Sequence, residues 1–586
     1  MKLHYSSEKN IQILISLLKK NNISRVIVSP GSANANFVIS IQQDDFFEIY
    51  SCIDERSAAY MACGLAAESQ QPVVICCTGA TASRNYMPAL TEAYYRKLPL
   101  VAITATKNVN LIGMNIDQMI DRTSIPNDIS ICSVHLPSVT DANSEWECML
   151  NVNRALQELK RNGGGPVHIN LTTNYSQDFS VLELPDVNSI NRLFIEDNFP
   201  LLRGRRIAIF VGSHFYWDDK LREAVDTFCE RYNAVVLCDQ TSNYKGKYGI
   251  FFNLITIQQE YSSKSMRFDV IIYLGDVSAS VPPLCNELWR VNIDGEFRDL
   301  NKRLKYVFQM KEYAFFEKYN ELSDEYELSL FDEISHEYNE IYDIMCKRSD
   351  EFGFSSIWVA YNTYNKLPDN SVLHLGILNS LRSWNFFRNN NIIGAFSNTG
   401  GYGIDGCVST MIGASLAYPN RIFYCIVGDL AFFYDMNSLG NINIGSNIRI
   451  ILVNNGLGNE FKNNLNPQQK AGIGEDANRY IAAKGHYGNL SKTLVKNYAK
   501  DLGFRYLSAK DKTEYNKIIP EIISENIGDS PLLVELFIED MVDAEAINLI
   551  QKLKKDTCTI VKSTIKDVIG NNGIRVIKKF IKKEET

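Results

Sequence analysis

Short runs of β-branched and aromatic residues alternate with stretches of helical periodicity along most of the chain. The first runs fall at 25–29, 47–51, 73–78, 100–104 and 167–171 and read as the strands of a parallel α/β sheet. A segment rich in Asp, Asn and Pro, 172–200, reads as a linker. A second series follows at 206–211, 234–238, 270–274 and 289–293, each run ending near Gly, Asp or Ser. Residues 311–352 are acidic and tyrosine-rich and meet no Gly or Pro until Gly353, which predicts a long helical connector. A third series occupies 372–375, 422–427, 448–453 and 532–536. The pattern predicts an α/β fold of three doubly wound parallel-sheet domains at 1–180, 195–345 and 350–544. A helical C-terminal extension at 545–586 carries ten Lys or Arg and reads as solvated helix faces packed on the body.

Composition sharpens this picture in a few places. A chain of 586 residues exceeds what one core holds, in keeping with several domains. Its 45% hydrophobic and 22% charged residues are those of an ordinary globular protein. The net charge of −8 argues against a sequence-independent grip on nucleic acid, which needs a basic face. Thirteen scattered cysteines with no C-x-x-C pair suggest buried thiols, not a zinc or redox motif. Residues 1–20 read as an amphipathic helix without a signal peptide's apolar core, and no apolar run is long enough to span a bilayer. The expected location is the cytoplasm.

The strongest chemical signal is Gly428-Asp429-Leu430, with Asn455 placed 26 residues beyond the Asp in Val453-Asn454-Asn455-Gly456. Both ends follow predicted strands. If those strands are parallel neighbours, Asp429 and Asn455 emerge at one carboxyl edge, where open α/β sheets bind ligands. A carboxylate, an amide oxygen and a nearby carbonyl are hard ligands that suit Mg²⁺, which completes its octahedron with phosphate oxygens and water. A diphosphate-bearing cofactor is thereby implied. The bland alternative is an Asp capping a helix and an Asn-Gly turn downstream. Far upstream, Glu55 in Cys52-Ile53-Asp54-Glu55-Arg56-Ser57 follows a strand and opens a small-residue helix. Its bland alternative is an acidic first turn facing the helix dipole.

Together with Val28-Ser29-Pro30-Gly31-Ser32, Thr78-Gly79-Ala80-Thr81, Asn85 and Gly165-Pro166-Val167-His168-Ile169-Asn170, these motifs resemble the thiamine diphosphate enzyme family over about residues 5–540. The resemblance implies a pyrimidine-binding, a central and a diphosphate-binding domain in that order. It also implies thiamine diphosphate and Mg²⁺ as cofactors, and a homodimer or homotetramer with its sites between subunits. By the match, the Asp429 and Asn455 side chains and the Leu457 carbonyl hold Mg²⁺, while Gly428, Leu430, Ala431 and Gly458 meet the diphosphate at a helix start. Ser32, Thr78, Gly79, Asn85, Asn379 and Ser380 fall at the cofactor, and Ile404 props it in its bent conformation. Glu55 hydrogen-bonds the aminopyrimidine ring, favouring the imino form that removes the thiazolium C2 proton. Leu430 departs from the family's commoner Gly.

Within the family, Ser29-Pro30-Gly31-Ser32, the Asp54-Glu55-Arg56-Ser57-Ala58-Ala59 run, Asn379-Ser380-Leu381 and Gly403-Ile404-Asp405-Gly406 are similar to the menaquinone-pathway SEPHCHC synthases. Those enzymes add a decarboxylated 2-oxoglutarate to isochorismate. Ala33 and Thr399 stand where they carry arginine, and an anionic substrate pair needs such guanidinium forks. The resulting expectation is a carboligase that decarboxylates a 2-oxo acid donor and adds the acyl anion equivalent to a less anionic carbonyl acceptor. A sugar-like acceptor from surface polysaccharide biosynthesis is the leading choice, by analogy at family level. The alternatives are a simple 2-oxo acid decarboxylase, a SEPHCHC synthase and a non-catalytic subunit of the same fold.

Gln118, Glu460 and His486 are further catalytic candidates, and Arg84 and Arg382 join Ala33 and Thr399 on the substrate side. An exposed ion pair explains Arg382 equally well, and a loop histidine satisfied by backbone explains His486 better than a proton donor. Val211-Gly212-Ser213 and Leu274-Gly275-Asp276 in the central domain lack a G-x-G-x-x-G run and read as structural.

Overall fold

The computed structural model describes residues 4–321, 329–389, 391–462 and 475–556. Two compact units divide the chain, the first built from Met1–Leu193 with Glu296–Val307, the second from Phe194–Gly295 with Phe308–Thr586.

In the first unit six strands form a parallel sheet in the order Glu48–Ser51, Arg25–Val28, Val73–Cys77, Leu100–Thr106, Val167–Thr172, Cys132–Leu136. Successive side chains on a strand point to opposite faces. Val74, Cys76, Val101 and Ile103 accordingly join a core beneath helices Lys9–Lys20 and Ala142–Glu158. Val73, Ile75, Cys77, Leu100 and Ala102 join a second core beneath Glu55–Ser69 and Met87–Tyr95. A sheet covered on both faces must be apolar on both, which is why these strands read as continuous apolar runs.

The segment predicted as a linker is partly a piece of this unit. Val181 bridges Tyr5, Ser16 Oγ donates to the Pro185 carbonyl, and Val187 and Ile190 are buried before the strand Asn191–Leu193. Its apolar residues are too widely spaced among polar ones to register as an element.

The second unit carries two parallel sheets. Its central sheet runs Gly249–Ile250, Ala234–Leu237, Ile207–Val211, Arg267–Leu274, Leu284–Val291. The other runs Gly394–Phe396, Ser371–Leu375, Ile422–Gly428, Ile448–Asn454, Leu532–Phe537, Arg505–Ala509. The buried Gln240 side chain ties the two together by donating to the Trp384 and Phe387 carbonyls at 2.8 and 2.5 Å. The predicted single connector is two helices, Glu312–Glu321 and Leu330–Lys347, followed by a 3-10 turn at Ser349–Phe352, with 322–328 outside the described residues. Of the predicted C-terminal extension, helix Asp540–Ile550 is seen, and the basic residues from 557 onward lie outside the described residues. Among the described residues no helix is long and apolar enough to cross a membrane.

His168 in the first sheet makes folding depend on pH. Its ring is buried between Thr104 Oγ1 at 2.7 Å and Ser133 Oγ at 2.8 Å, and burial, aided by the nearby Arg122 charge, lowers its pKa to about 3. The unfolded chain takes up a proton near pH 6.5 that the folded chain refuses, so this contribution to stability is present above pH 6.5 and is lost as pH falls from there toward 3. Between pH 7 and pH 5 the loss is about 2 kcal/mol. Urea unfolding of the wild type and His168→Gln at both pH values should show the stability gap between them shrinking by about that amount in acid; an unchanged gap contradicts it.

Candidate active site

In the first unit the sequence candidates collect at the carboxyl ends of neighbouring strands. Strand Val73–Cys77 ends in the turn Thr78-Gly79-Ala80, and Gly31 of the adjacent turn presses on it, since a Cβ there would lie 2.4 Å from Thr78 Cβ. The buried Thr78 Oγ1 has no hydrogen-bond partner among the described residues. Ala80 adopts φ 55, ψ −132, a conformation natural to glycine, and then opens helix Thr81–Asn85. Such strain is held only where the surroundings over-determine it, and it clusters at functional sites. Asn85 Nδ2 donates to Glu55 Oε2 at 3.2 Å, so two of the candidates meet. Asp54, not Glu55, caps the helix Glu55–Ser69, accepting from the Arg56 and Ser57 amides at 2.9 and 3.2 Å. Glu55 stands in the same first turn, so its charge also faces the helix dipole.

The remaining first-unit candidates are less convergent. Ser32 is exposed and Ala33 buried, while Arg84 donates to the Asp121 carbonyl at 2.9 Å. Gln118 is exposed in a loop at φ 56. Sequence reasoning missed Arg122, whose buried guanidinium donates to Ser83 Oγ, the Ala105 carbonyl and Asn170 Oδ1. Burial pulls its pKa to about 10, so it remains charged at neutral pH and braces the helix that bears Asn85. No motif marks it. An arginine after an aspartate in a loop looks like surface.

In the second unit, strands Ile422–Gly428 and Ile448–Asn454 pair in parallel with Gly428 opposite Val453, so Asp429 and Asn455 leave the sheet side by side. Asp429 is 2% exposed in the first turn of helix Asp429–Asp435. Its Oδ1 accepts from the Leu430 amide at 2.8 Å. Its Oδ2 accepts from the Gly456 amide at 2.6 Å and lies 3.0 Å from His486 Nε2. His486 therefore faces the candidate metal carboxylate, not open solvent. The buried Ala431 and Leu457 flank this pair, and the Gly458 amide is tied to the Ala482 carbonyl at 2.7 Å.

Two buried carboxylates back the same strand end. Glu535 Oε1 accepts from Asn454 Nδ2 at 2.7 Å and Oε2 from Tyr506 at 2.7 Å. Asp543 Oδ1 accepts from the Ser356 amide at 2.7 Å and Oδ2 from Asn459 Nδ2 at 2.9 Å. Burial pushes both carboxyl pKa values up, and these hydrogen bonds oppose the push.

Leu378, at φ 69 and ψ −118, opens helix Asn379–Trp384 with nearly the backbone of Ala80. This turn carries Asn379, Ser380 and Arg382. Arg382 forks onto Glu460, Nη1 to Oε2 at 2.6 Å and Nη2 to Oε1 at 3.1 Å, and Nη1 also reaches Asn379 Oδ1 at 2.8 Å. The structure thus joins a predicted catalytic acid to a predicted substrate arginine, each answering the other's charge. Thr399 is buried, and the half-buried Ile404 packs on the third-sheet core. In the central sheet, Gly212 and Gly275 serve a backbone contact: a Cβ on Gly212 would lie 2.1 Å from the Asp276 carbonyl, where Ser213 and Asp276 form an isolated bridge.

Comparison with known proteins bears on the same two loop systems. Residues 9–125 match the family described as "Thiamine pyrophosphate enzyme, N-terminal TPP binding domain", and residues 379–536 match its C-terminal TPP binding domain. A 2-succinyl-5-enolpyruvyl-6-hydroxy-3-cyclohexene-1-carboxylate synthase of Bacteroides thetaiotaomicron is 30% identical over 580 residues, covering 93% of this chain and 98% of that protein. Synthases of the same name from Bacteroides fragilis, 30% identical with 93% and 98% covered, and Phocaeicola vulgatus, 28% identical with 92% and 97% covered, are similar over nearly their whole lengths. With the Glu55 turn inside the first matched region, Asp429 and Asn455 inside the second, and full-length relatives spanning both, the chain belongs to the thiamine pyrophosphate enzyme family.

Proposed function

We propose that this family member is a carboligase that decarboxylates a 2-oxo acid and joins the acyl fragment to a second substrate, with Mg²⁺ anchoring the cofactor's diphosphate. The carrying observation is the parallel pairing that puts Asp429 beside Asn455. The donor set fits the ion. Asp429 is a nearly inaccessible carboxylate whose described partners are two backbone amides and one imidazole, and a hard divalent cation takes such oxygen ligands. Asp429, Asn455 and the Leu457 carbonyl would hold it, with Gly428, Leu430, Ala431 and Gly458 lining the diphosphate.

When bound, thiamine diphosphate supplies a carbon nucleophile and an electron sink for the departing carboxylate. Glu55, which accepts from Asn85 Nδ2 at 3.2 Å, would hold the proton on the aminopyrimidine ring nitrogen that sets the ring's tautomer. Ser32, Thr78 and Gly79 line that end, with the unpartnered Thr78 hydroxyl available to a ligand. Asn379 and Ser380 of the second unit would meet the cofactor as well, and Ile404 would support it. A homo-oligomer, dimer or tetramer, completes the site from two copies.

For the substrates, the relatives' names favour formation of 2-succinyl-5-enolpyruvyl-6-hydroxy-3-cyclohexene-1-carboxylate, for which the resemblance to SEPHCHC synthases implies 2-oxoglutarate and isochorismate. A second reading, a less anionic and sugar-like acceptor, is favoured by Ala33 and Thr399 and by Arg382, whose charge Glu460 already answers. Mass spectrometry of products from isochorismate with 2-oxoglutarate, set against pyruvate and other 2-oxo acids crossed with sugar aldehydes and keto-sugars, separates them. A coupled product in either set supports the carboligase. Free aldehyde released equally with and without acceptor makes the protein a decarboxylase. Glu55→Gln should keep cofactor binding within a few-fold and lower turnover by about 100-fold or more. Undiminished turnover would remove Glu55 from the chemistry.

A further inference from the structure

We infer that Asn170 is a positioning residue that seats Arg122 beneath the turn and helix 78–85 while His135 is neutral, an inference resting on Glu55 and Asn85 meeting the cofactor as proposed above. A carboxamide has one end that accepts and one that donates, whereas guanidinium N–H groups only donate. Arg122 Nε lies 3.2 Å from Asn170 Oδ1, so the amide oxygen is the end that faces the arginine. The amide nitrogen is thereby turned to His135 Nδ1 at 3.2 Å, and that ring nitrogen must accept. The imidazole proton then sits on Nε2 and donates to Thr172 Oγ1 at 3.4 Å. One fixed charge selects the tautomer of a histidine on the neighbouring strand.

The other end of the guanidinium meets the candidate site. Nη1 donates to Ser83 Oγ at 3.0 Å, and that hydroxyl gives its own hydrogen to the carbonyl of the strained Ala80 at 2.6 Å. Nη2 donates to the Ala105 carbonyl at 3.0 Å. Gly79 leaves room for this seat, since a Cβ there would come 2.8 Å from the Ala105 carbonyl and 3.4 Å from Nη1. Helix Thr81–Asn85 is little more than one turn, too short to hold itself in place, and Asn85 at its end reaches Glu55 at 3.2 Å. An unbroken series of hydrogen bonds therefore runs from His135 through Asn170, Arg122 and Ser83 to the Ala80 turn.

Protonating His135 breaks the series at a defined atom. With a hydrogen on Nδ1 the ring needs an acceptor, and Asn170 supplies one only by turning over, which sets its Nδ2 against Arg122 Nε, donor against donor. Asn170 and Arg122 are each 5% exposed, so bulk water does not relieve the mismatch. The charged groups about His135 are Glu147, on helix Ala142–Glu158, and Arg122. Burial first, and the Arg122 charge with it, hold its pKa below that of an ordinary imidazole, against the pull of Glu147 and the Asn170 carbonyl. His168, on the paired strand Val167–Thr172, stays neutral over the same range. The seat of Arg122 is intact at neutral pH and loosens in acid.

Isothermal titration of thiamine diphosphate into the full-length protein with saturating Mg²⁺, at pH 7 and at pH 5, tests this, with thermal unfolding of each cofactor-free variant alongside. His135→Asn places an oxygen that accepts at any pH where Nδ1 stands, so its affinity should fall less than that of wild type between the two pH values, by at least about threefold. The comparison with wild type cancels the cofactor's own titration. Asn170→Asp, whose two oxygens accept from Arg122 and from a protonated His135 alike, should also be less acid-sensitive than wild type. Asn170→Leu offers neither end and should bind at least about threefold more weakly at pH 7 than Asn170→Asp. His135→Asn decides the matter even if Asn170→Leu does not fold. If wild type and His135→Asn lose affinity in parallel, or if the Asn170 variants differ in unfolding temperature alone, Asn170 does not hold this turn through Arg122. If Asn85→Ala leaves the affinity unchanged, the placement of the turn at the cofactor fails and this inference with it.

Discussion

Parallel pairing of Ile422–Gly428 with Ile448–Asn454 is the constraint on which the candidate site rests. Strands that run the same way release their chains at the same edge, so residues 26 apart in sequence leave the sheet as neighbours. Helices cover both sheet faces, and of the residues at this edge Asp429 is cut off from bulk water while Gly428, Leu430 and Asn455 remain partly exposed. Asp429 shows the consequence: a carboxylate buried at a helix start, satisfied by backbone amides and a histidine. Buried charge is tolerated only with such compensation, and a divalent cation is the compensation that also does chemistry.

The two loop systems share a device. Ala80 and Leu378 each hold a backbone conformation suited to glycine at the first turn after a buried strand, one ahead of Asn85 and the other ahead of Asn379. Keeping a side chain there costs on the order of 1–3 kcal/mol, supplied by the packing around it. Arg122 in the first unit and Arg382 in the second then fix the helices that follow, the former through three hydrogen bonds to uncharged acceptors and the latter through Glu460 and Asn379. Arg382 is therefore an internal strut as it stands, which limits its use as a substrate anchor.

Much of this was legible beforehand, for definable reasons. Strands buried on both faces appear as apolar runs, and Val73–Cys77, Ile422–Gly428 and Ile448–Asn454 fall within a residue of where periodicity put them. The strands that escaped notice lack such runs: Cys132–Leu136 and Arg505–Ala509 mix buried with solvent-facing side chains, and Gly394–Phe396 is only three residues long. Asp429 and Asn455 could be singled out because each follows a strand directly, and Glu55 because it opens the helix after one in a motif that resembles the family's. Arg122, Glu535 and Asp543 could not, since a charged residue's burial depends on which distant elements enclose it. The pairing of Glu460 with Arg382 was invisible for the same reason: 78 residues separate them, and neither sits in a periodic pattern.

The central claim is that Asp429 and Asn455 hold a cofactor-bound divalent ion. The most direct measurement is a crystal structure of the protein grown with thiamine diphosphate and Mn²⁺ as an anomalous substitute for Mg²⁺. The account predicts one anomalous peak in bonding contact with an Asp429 oxygen, Asn455 Oδ1 and the diphosphate. A peak elsewhere, or cofactor density with no metal against Asp429, would contradict it.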